Sequence, residues 1–261
     1  MTKRESSKKK PKIVGVILAY NVAKMLPRAI ERIPKGVLND IIVMDDGSKD
    51  NTSQVAKSLG LKVFRHEPNR GYGGNLKEGM RIALNMGADY IVEIHGDGAQ
   101  FNPISINYAM PYMTGGKAQL ILGSRFRVPG KAIKNGMPVI RFIANRFLSF
   151  FDRIILGLPL TEFHTGFRIY GRKLLETVPY MQNKDDYLFS FQIIAQAAYY
   201  NLPVQEVEVE ADYNSEHTSH ALSGASMYAI NTFLILGKFV LAKAGLSHDK
   251  IFQKGKNDIH I

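Results

Sequence analysis

The segment that decides the fold spans residues 41–48 and reads IIVMDDGS. A short, uninterrupted apolar run is typical of a strand buried on both faces, as strands are in a parallel sheet covered by helices. Two aspartates and a Gly-Ser turn follow the run at once. Asn51 or Thr52 can cap the next helix, which ends before Gly60. The segment therefore predicts a strand, a polar turn and a helix of an α/β protein.

Similar units stand on either side of this segment. Further buried strands are predicted at residues 13–19, 61–64, 90–94 and 120–122, with helices at 76–86 and from about 103. The second half is less regular, with helices predicted at 141–156, 188–200 and 227–244 and a strand at 204–209. Strands that alternate with helices predict a single α/β domain of the Rossmann-like kind, with a mostly parallel central sheet and helices on both faces.

Composition sets the boundaries of this domain and excludes several kinds of site. The chain has 261 residues, of which 45% are hydrophobic, and no cysteine. The lack of cysteine excludes a disulfide scaffold, a thiolate zinc site and a cysteine nucleophile. The formal net charge is +11, and residues 1–12 hold six Lys or Arg against one Glu. We therefore predict a basic, disordered arm at 1–12, a domain at 13–246 and a polar tail at 247–261.

Charge and hydropathy also bear on partners and location. A basic arm is attracted to an anionic membrane surface, whereas no zinc finger, RRM signature or basic helical repeat indicates a nucleic acid partner. No apolar run has the pattern of a signal peptide or the length of a membrane-spanning helix. The sequence predicts a cytoplasmic protein, either free or peripheral on the cytoplasmic face of a membrane.

Polar residues follow four of the predicted strands, at 20–21, 45–46, 95–97 and 124–125. Ligands of open α/β sheets bind beyond the carboxyl ends of the strands. Asp97, between two glycines, either anchors a divalent metal on a diphosphate or forms a simple turn. The two aspartates at 45–46 either bind a ribose or base or stabilise the start of the following helix.

Further features suit a phosphorylated ligand. The glycine-rich segment 70–75 is predicted to be a flexible loop and a phosphate cradle, although it matches neither the dinucleotide fingerprint nor the P-loop. Arg125 and Arg168 either clamp a phosphate in bidentate fashion or serve the structure. His164 and the histidines of a polar loop at 212–224 either bind phosphate or metal or have structural roles.

Six motifs occur in a fixed order along the chain. They are ILAYN at 17–21, IVMDDGSKD at 42–50, NRGYGGN at 69–75, HGDG at 95–98, GSR at 123–125 and FHTGFR at 163–168. Together they resemble the motifs of glycosyltransferase family 2, whose enzymes have the GT-A fold, and most closely those of its dolichol-phosphate mannose synthase branch. The resemblance covers roughly residues 12–232.

The resemblance implies both a reaction and a site. It implies the inverting transfer of a sugar from a UDP- or GDP-sugar, bound by the half at 13–125, to an acceptor bound by the half at 126–246. Asp97 would hold Mg²⁺ or Mn²⁺, with His95 at the other position of the metal motif. The implied nucleotide-sugar-binding residues are Ala19, Tyr20, Asn21, Asp46, Gly74, Gly96, Arg125 and Arg168.

Three positions depart from the family pattern. Val22 stands where an acidic residue often follows the Tyr-Asn turn, and His95 replaces the first aspartate of the metal motif. The loop at 214–224 has no Arg or Lys, whereas enzymes that use polyprenyl phosphate tend to carry basic residues there. Either His217 and His220 substitute for them or the acceptor differs.

The chemistry of the acceptor decides whether a base is needed. A hydroxyl of a growing glycan needs a general base, for which Asp186 and then Asp185 are the candidates, although both can equally cap the following helix. A polyprenyl or dolichyl phosphate is largely ionised near pH 7 and needs no base. The apolar side of the helix at 141–156 predicts contact either with a membrane beside a lipid acceptor or with the core.

Two other functions are compatible with parts of the sequence. His95 in place of aspartate favours a protein that binds a nucleotide-sugar without catalysis. A sugar nucleotidyltransferase can share the sheet architecture, but it would have a glycine-rich, arginine-containing loop after the first strand. This chain has YNVA at 20–23 there, which disfavours that function.

Overall fold

A computed structural model describes residues 10–98, 102–210 and 222–253, without the side chains of 222–225. Within these residues seven strands form one sheet in the order β3-β2-β1-β4-β6-β5-β7. All its pairings are parallel except the two made by β6. The strands are β1 Ile13–Ala19, β2 Asp40–Asp45, β3 Lys62–Arg65, β4 Tyr90–His95, β5 Leu120–Ser124, β6 Arg168–Gly171 and β7 Val204–Glu208.

Helices cover both faces of the sheet, which confirms the predicted α/β class. On one face α3, α8 and α9 pack on apolar side chains of β1, β2 and β5. On the other face α1, α2 and α4 cover the alternate residues of the same sheet. The α-helices of the described ranges are α1 Leu26–Glu31, α2 Thr52–Ser58, α3 Gly71–Asn85, α4 Ile106–Thr114, α5 Lys131–Lys134, α6 Val139–Leu156, α7 Arg172–Thr177, α8 Phe189–Tyr199 and α9 Leu222–Lys243.

Strand β6 is an element that the sequence did not predict. It has four residues and runs antiparallel between β4 and β5, pairing Val92 with Ile169 and Leu122 with Arg168. Only Ile169 and Tyr170 are apolar, between an arginine and a glycine, so the segment lacks the apolar run that identified the other strands. The strand brings Arg168 into the middle of the sheet, beside the carboxyl ends of β4 and β5.

The glycine-rich segment 70–75 is not the loop that the sequence predicted, because α3 begins at Gly71. The backbone amides of Gly73 and Gly74 donate to the carbonyl oxygen of Asp185 at 2.7 and 3.3 Å. A carbonyl group thus satisfies two amides of the first helical turn, which would otherwise lack partners. A Cβ atom at Gly73 would lie 2.5 Å from the carbonyl oxygen of Lys184. Glycine is required there because the 184–185 backbone packs directly on the helix.

Helix α6 exposes its apolar side and buries polar groups. Its buried residues are Ser149, Asp152 and Leu156. Six large apolar side chains are 56–73% exposed: Val139, Ile140, Ile143, Phe147, Phe150 and Ile154. Of the two alternatives predicted for this side, contact with the core does not hold for these six residues.

Helix α9 extends the same surface. Phe233 of α9 meets Phe151 of α6 edge to face, with ring centroids 5.8 Å apart. α9 exposes further apolar side chains, Met227, Ile230, Leu234 and Leu241, by 46–59%. We call the six exposed residues of α6 and these four of α9 the α6–α9 apolar surface. No helix of the described residues combines the length and apolar character needed to cross a bilayer.

Both ends of the described chain attach to the domain. The carbonyl oxygen of Lys12 accepts from the amides of Asp89 and Tyr90, so the predicted basic arm joins the sheet at its last residue. Residues 1–9 lie outside the described ranges. The predicted polar tail at 247–261 is wrong at its start, because Ile251 and Phe252 are buried in the core beneath α8 and α9.

Candidate active site

The carboxyl ends of β2, β1 and β4 lie side by side and gather several of the predicted site residues. Tyr20 follows β1 and is 48% exposed. Asn21 has a positive φ of 54°, its amide donates to Ser48 Oγ at 2.9 Å, and its Oδ1 accepts from Lys49 N at 2.7 Å. These contacts fix the turn after β1 against the turn after β2 and leave the ring of Tyr20 exposed at the edge.

Asp45 and Asp46 have different surroundings. Asp45 is fully buried and accepts from the Ser48 amide, the Ser53 hydroxyl and Arg65. Burial raises the pKa of Asp45, but the hydrogen bonds from Ser48 and Ser53 outweigh it and hold the pKa below its usual value. Asp46 is also buried, with 4% of its surface exposed, and accepts from the Arg70 amide at 2.8 Å. Asp45 is structural, and the nucleoside contact of Asp46 stays a prediction.

Three of the predicted site residues contribute backbone groups rather than side chains to this edge of the sheet: Ala19, Gly74 and Gly96. The carbonyl oxygen of Ala19 accepts from Asp46 N, and the Gly96 amide donates to Leu18 O at 2.8 Å. A Cβ atom at Gly96 would lie 2.8 Å from that same oxygen, so only glycine fits. Gly74 lies in the first turn of α3, where its amide is already bonded to Asp185. Gly74 therefore joins the start of α3 to the backbone of Asp185 and does not form the open phosphate cradle that the sequence predicted.

His95, predicted at the other position of the metal motif, contacts buried groups of the protein. Its Nε2 lies 3.2 Å from Glu93 Oε1 and 3.2 Å from the Gly166 carbonyl oxygen. Burial lowers the pKa of His95, but the hydrogen bond and charge of Glu93 and the charge of Asp97 outweigh it and raise the pKa. Within the described residues no three His, Cys, Asp or Glu side chains converge as metal ligands. Asp97, in the turn two residues later, is the carboxylate that fits a hard divalent cation, whose other ligands would be phosphate and water oxygens.

Glu93 is the centre of a buried polar network that sequence reasoning missed. It accepts from Tyr72 Oη and, at 2.7 Å, from Tyr170 Oη. Burial raises the pKa of Glu93, but the hydrogen bond from His95 and the charge of Arg168 lower it below its usual value. The network therefore holds an ionised carboxylate under the site.

The network also reaches the exposed edge of the site. The ring of Tyr72 stacks on Tyr187, with centroids 4.9 Å apart, and its hydroxyl lies 2.9 Å from Ser190 Oγ. Tyr187 itself is half exposed. The sequence carried one signal for this network, because Glu93 places a charge in an otherwise apolar, fully buried strand.

The two arginines predicted to clamp a phosphate differ in their contacts. Arg125 forms a buried ion pair with Glu162, through Nε at 2.8 Å and through Nη2. This pair uses the guanidinium for structure and does not support a clamp role. Arg168 is 96% buried beside the Glu93 network, and its Nε has no hydrogen-bond partner among the residues that the structure describes. A buried, unpartnered guanidinium N–H is suited to an anionic ligand.

The two candidate bases lie at the start of α8. Asp185 is 67% exposed at its side chain and pairs with Lys77 Nζ at 2.8 Å. Asp186 accepts from the Leu188 amide at 2.8 Å, as the helix-capping alternative requires. Both carboxylates therefore have structural contacts, and both residues are exposed.

A second cluster, also missed by sequence reasoning except for His164, lies between α6, α8 and α9. His164 Nε2 lies 2.9 Å from Asp152 Oδ2, and His164 Nδ1 lies 3.2 Å from Tyr228 Oη. The ring of His164 stacks on Phe191. His217 and His220, predicted to assist at the acceptor, lie outside the described residues.

Comparison with known proteins yields one family and several relatives. The family model described as Glycosyl transferase family 2 matches residues 16–178. The chain is 27% identical to a UDP-N-acetylglucosamine–dolichyl-phosphate N-acetylglucosaminyltransferase of Methanococcus voltae, over 85% of this chain and 96% of that protein. It is 29% identical to a polyprenol monophosphomannose synthase of Mycolicibacterium smegmatis, over 68% of each.

A solved structure with the same fold is glucosyl-3-phosphoglycerate synthase from Mycobacterium tuberculosis. It was crystallised with Mn²⁺, UDP-glucose and phosphoglyceric acid. The TM-score is 0.63 at 20% identity, over 92% of this chain and 81% of that one. At this identity the likeness shows the fold, which is the GT-A architecture.

Proposed function

The chain belongs to glycosyltransferase family 2, and we propose that it transfers a sugar from a nucleoside diphosphate to a polyprenyl phosphate at a membrane surface. Family membership makes it a nucleotide-sugar glycosyltransferase. The proposal adds the acceptor and its location. The observation that carries this addition is the α6–α9 apolar surface, which lies on two helices of the half predicted to bind the acceptor.

The donor is a UDP- or GDP-sugar at the carboxyl ends of β2, β1 and β4. The exposed ring of Tyr20 covers the base, and Asn21 and Asp46 hold the nucleoside. Asp97 would hold Mg²⁺ or Mn²⁺. The metal, when bound, supplies positive charge that stabilises the departing diphosphate. Two of the similar proteins use or bind UDP-sugars, which supports a donor of this class.

The transfer is a displacement at the anomeric carbon. A phosphate oxygen of the acceptor forms a bond to that carbon while the bond to the diphosphate oxygen breaks, and the configuration inverts. Arg168 would bind the acceptor phosphate, since its Nε is buried without a hydrogen-bond partner among the described residues. The acceptor is largely ionised near pH 7, so neither Asp185 nor Asp186 is needed as a base.

The acceptor reaches the site from a lipid surface. Large apolar side chains exposed together on two adjacent helices are unusual for a surface that faces only water. Three arginines of α6, Arg141, Arg146 and Arg153, are exposed beside these apolar side chains. An apolar helix face bordered by basic residues is typical of helices that lie in the plane of an anionic membrane. We propose that this membrane is contacted from its cytoplasmic face, as the basic residues of 1–12 favour.

The acceptor is tested by comparing three compounds. The full chain is incubated with radiolabelled UDP-glucose, UDP-N-acetylglucosamine or GDP-mannose and Mn²⁺. The acceptors are undecaprenyl phosphate in phosphatidylglycerol vesicles, undecaprenol in the same vesicles, and a soluble oligosaccharide. The proposal predicts labelled lipid with undecaprenyl phosphate alone. Labelled oligosaccharide without labelled lipid would overturn the proposed acceptor and restore Asp186 as the candidate base.

A further inference from the structure

Three near-parallel rings stand together at the carboxyl end of β4. The centroid of the Tyr72 ring lies 4.9 Å from that of Tyr187 and 6.1 Å from that of His95, at interplanar angles of 24° and 23°. Offset stacks at such separations are a favoured arrangement of aromatic rings. His95 is the last residue of β4, and Asp97 follows two residues later. The stack therefore joins Tyr187 to the turn that carries Asp97.

The ring of Tyr72 has a fixed position in this stack. Its hydroxyl donates to the buried carboxylate of Glu93 and lies 2.9 Å from Ser190 Oγ. These two partners belong to β4 and α8, so two separate elements hold the ring. Tyr187 consequently packs on a support that does not have to be ordered when a ligand binds.

The segment that carries Tyr187 is held against the start of α3. The carbonyl oxygen of Asp185 accepts from the amides of Gly73 and Gly74. The carboxylate of Asp185 accepts from Lys77 Nζ at 2.8 Å, and Lys77 is itself buried. The backbone two residues before Tyr187 is thus bonded to the helix through both its main chain and its side chain.

The start of α3 is in turn bonded to the end of β2. The amide of Arg70 donates to Asp46 at 2.8 Å, and Asn75 Nδ2 donates to the carbonyl oxygen of Met44 at 2.9 Å. Tyr187 therefore packs beside the start of α3, near the carboxyl ends of β2 and β4. The proposed function places the donor at these strand ends.

The order of the groups in a nucleotide-sugar indicates which of them this ring would meet. The proposed function puts the nucleoside at Tyr20 and Asp46 and the metal for the diphosphate at Asp97. The hexose is bonded to the diphosphate at the end away from the nucleoside. An aromatic ring joined through Tyr72 to the turn of Asp97 is therefore placed for the hexose.

The chemistry of the Tyr187 side chain also fits a hexose. The residue is 51% exposed although its ring stacks on Tyr72. The face of an aromatic ring is apolar and carries the negative part of its quadrupole. A pyranose ring presents C–H groups whose slightly positive hydrogens pack on such a face, whereas the face repels anionic phosphates. The ring thus suits the sugar and not the diphosphate.

We propose that Tyr187 is a specificity-determining residue for the donor and that its ring is the surface on which the hexose of the nucleotide-sugar packs. The inference rests on the proposed function, because it concerns the same donor site, but it does not depend on the acceptor. The ring would contribute to binding of the nucleotide-sugar and not to binding of the nucleoside diphosphate. Tyr187 would therefore discriminate between the substrate and the product that leaves.

The test is isothermal titration calorimetry of the full chain with Mn²⁺ and without acceptor. The ligands are UDP-glucose, UDP-N-acetylglucosamine, GDP-mannose, UDP and GDP, and the comparison uses the nucleotide-sugar that the wild type binds and its own nucleoside diphosphate. Tyr187→Ala should raise the Kd of the nucleotide-sugar about tenfold and leave that of the nucleoside diphosphate within about twofold. Tyr187→Phe keeps the ring and should leave both Kd values within about twofold of wild type.

Two other tyrosines serve as matched variants. Tyr108 is 58% exposed on α4, on the other face of the sheet, so Tyr108→Ala should change neither Kd. Tyr20 is proposed to cover the base, which both ligands share, so Tyr20→Ala should raise both Kd values by the same factor. The melting temperature of each variant without ligand separates these results from misfolding.

Other outcomes would overturn the inference. A Tyr187→Ala variant that binds the nucleotide-sugar as tightly as Tyr108→Ala does would remove the hexose contact. Equal weakening of both ligands would put the ring on the nucleoside. An unchanged Kd of the donor with a raised KM for undecaprenyl phosphate would put the ring on the acceptor.

Failure of the proposed function is distinguishable from failure of this inference. A wild-type protein that binds none of the five ligands would overturn the proposed donor site before any substitution is made, and the inference with it. A wild-type protein that binds a nucleotide-sugar but transfers no sugar to undecaprenyl phosphate would overturn the proposed acceptor alone. The Kd values of the Tyr187 variants would still decide the inference.

Discussion

Nε2 of His95 lies 3.2 Å from Oε1 of Glu93, so the residue at the first position of the metal motif points back into the sheet. The contact joins the turn that carries Asp97 to a buried carboxylate. It also links His95 to Tyr72 and Tyr170, which share the same carboxylate. The imidazole at this position of the motif therefore anchors the turn to the buried carboxylate of Glu93.

This contact predicts a pH-dependent contribution of His95 to stability. The folded-state pKa of His95 is raised above its usual value of 6.5. Such a group stabilises the fold fully below about pH 6.5 and loses its contribution as pH rises through the folded-state pKa. The difference in unfolding free energy between wild type and His95→Gln should therefore be largest near pH 6 and shrink toward pH 9. Urea unfolding at fixed temperature measures it, and a difference that is constant or grows with pH contradicts the contact.

The ion pair of Arg125 and Glu162 predicts a structural effect where the sequence predicted a phosphate clamp. Arg125→Met leaves the buried Glu162 carboxylate without its cation, which should cost about 3–5 kcal/mol of unfolding free energy. Glu162→Gln added to this variant should restore much of the stability, because the side-chain amide oxygen can still accept from the backbone amide of residue 125. Urea unfolding gives both values. A stable Arg125→Met protein that no longer binds nucleotide would instead favour the clamp.

The α6–α9 apolar surface predicts binding to lipid vesicles. Phe147 is 56% exposed on α6, and burying such a side chain is worth roughly 1.5–3 kcal/mol. Phe147→Glu should therefore weaken binding to phosphatidylglycerol vesicles, measured by co-sedimentation, about tenfold or more. Ile104→Glu is the control, since Ile104 is 50% exposed beside α4 on the other face of the sheet. Equal binding by wild type, Phe147→Glu and Ile104→Glu would contradict membrane binding through the α6–α9 apolar surface.

Asp186 should be dispensable for transfer to a phosphate. Its carboxylate accepts from the Leu188 amide, and an asparagine oxygen can do the same. Asp186→Asn should keep kcat with undecaprenyl phosphate within about threefold of wild type. Loss of a general base lowers the rate by roughly 10²–10⁴-fold. A loss of that size would mean that the nucleophile is a hydroxyl.

The sequence predicts strands and helices correctly where the local pattern of apolar and polar residues agrees with the long-range structure. The mostly apolar segments that became β1, β2 and β4 end in polar turns, so the edge of the sheet that carries Tyr20, Asn21, Asp46 and Asp97 could be predicted. Strand β6 could not, because its four residues are recognisable only by their pairing with β4 and β5.

Side-chain partners were the harder part. Arg125 and Arg168 look alike in sequence, and only the buried Glu162 distinguishes them. The segment 70–75 read as a loop because its glycines match flexible turns, whereas the 184–185 backbone, more than a hundred residues away, makes it helical. Asp152 fell on the polar side of α6, which is normally the solvent side. In α6 the relation is reversed, because the apolar side is exposed and Asp152 is buried.

The most direct test of the account is thermal melting of wild type and Asp97→Asn with UDP or GDP, each with and without Mn²⁺. Ligand at about 100 times Kd stabilises the native state by roughly 2.7 kcal/mol. The account predicts that one nucleotide raises the melting temperature of the wild type only with Mn²⁺, and that Asp97→Asn loses this shift. No shift with either nucleotide, with or without Mn²⁺, would contradict the nucleotide-sugar site at the carboxyl ends of β2, β1 and β4.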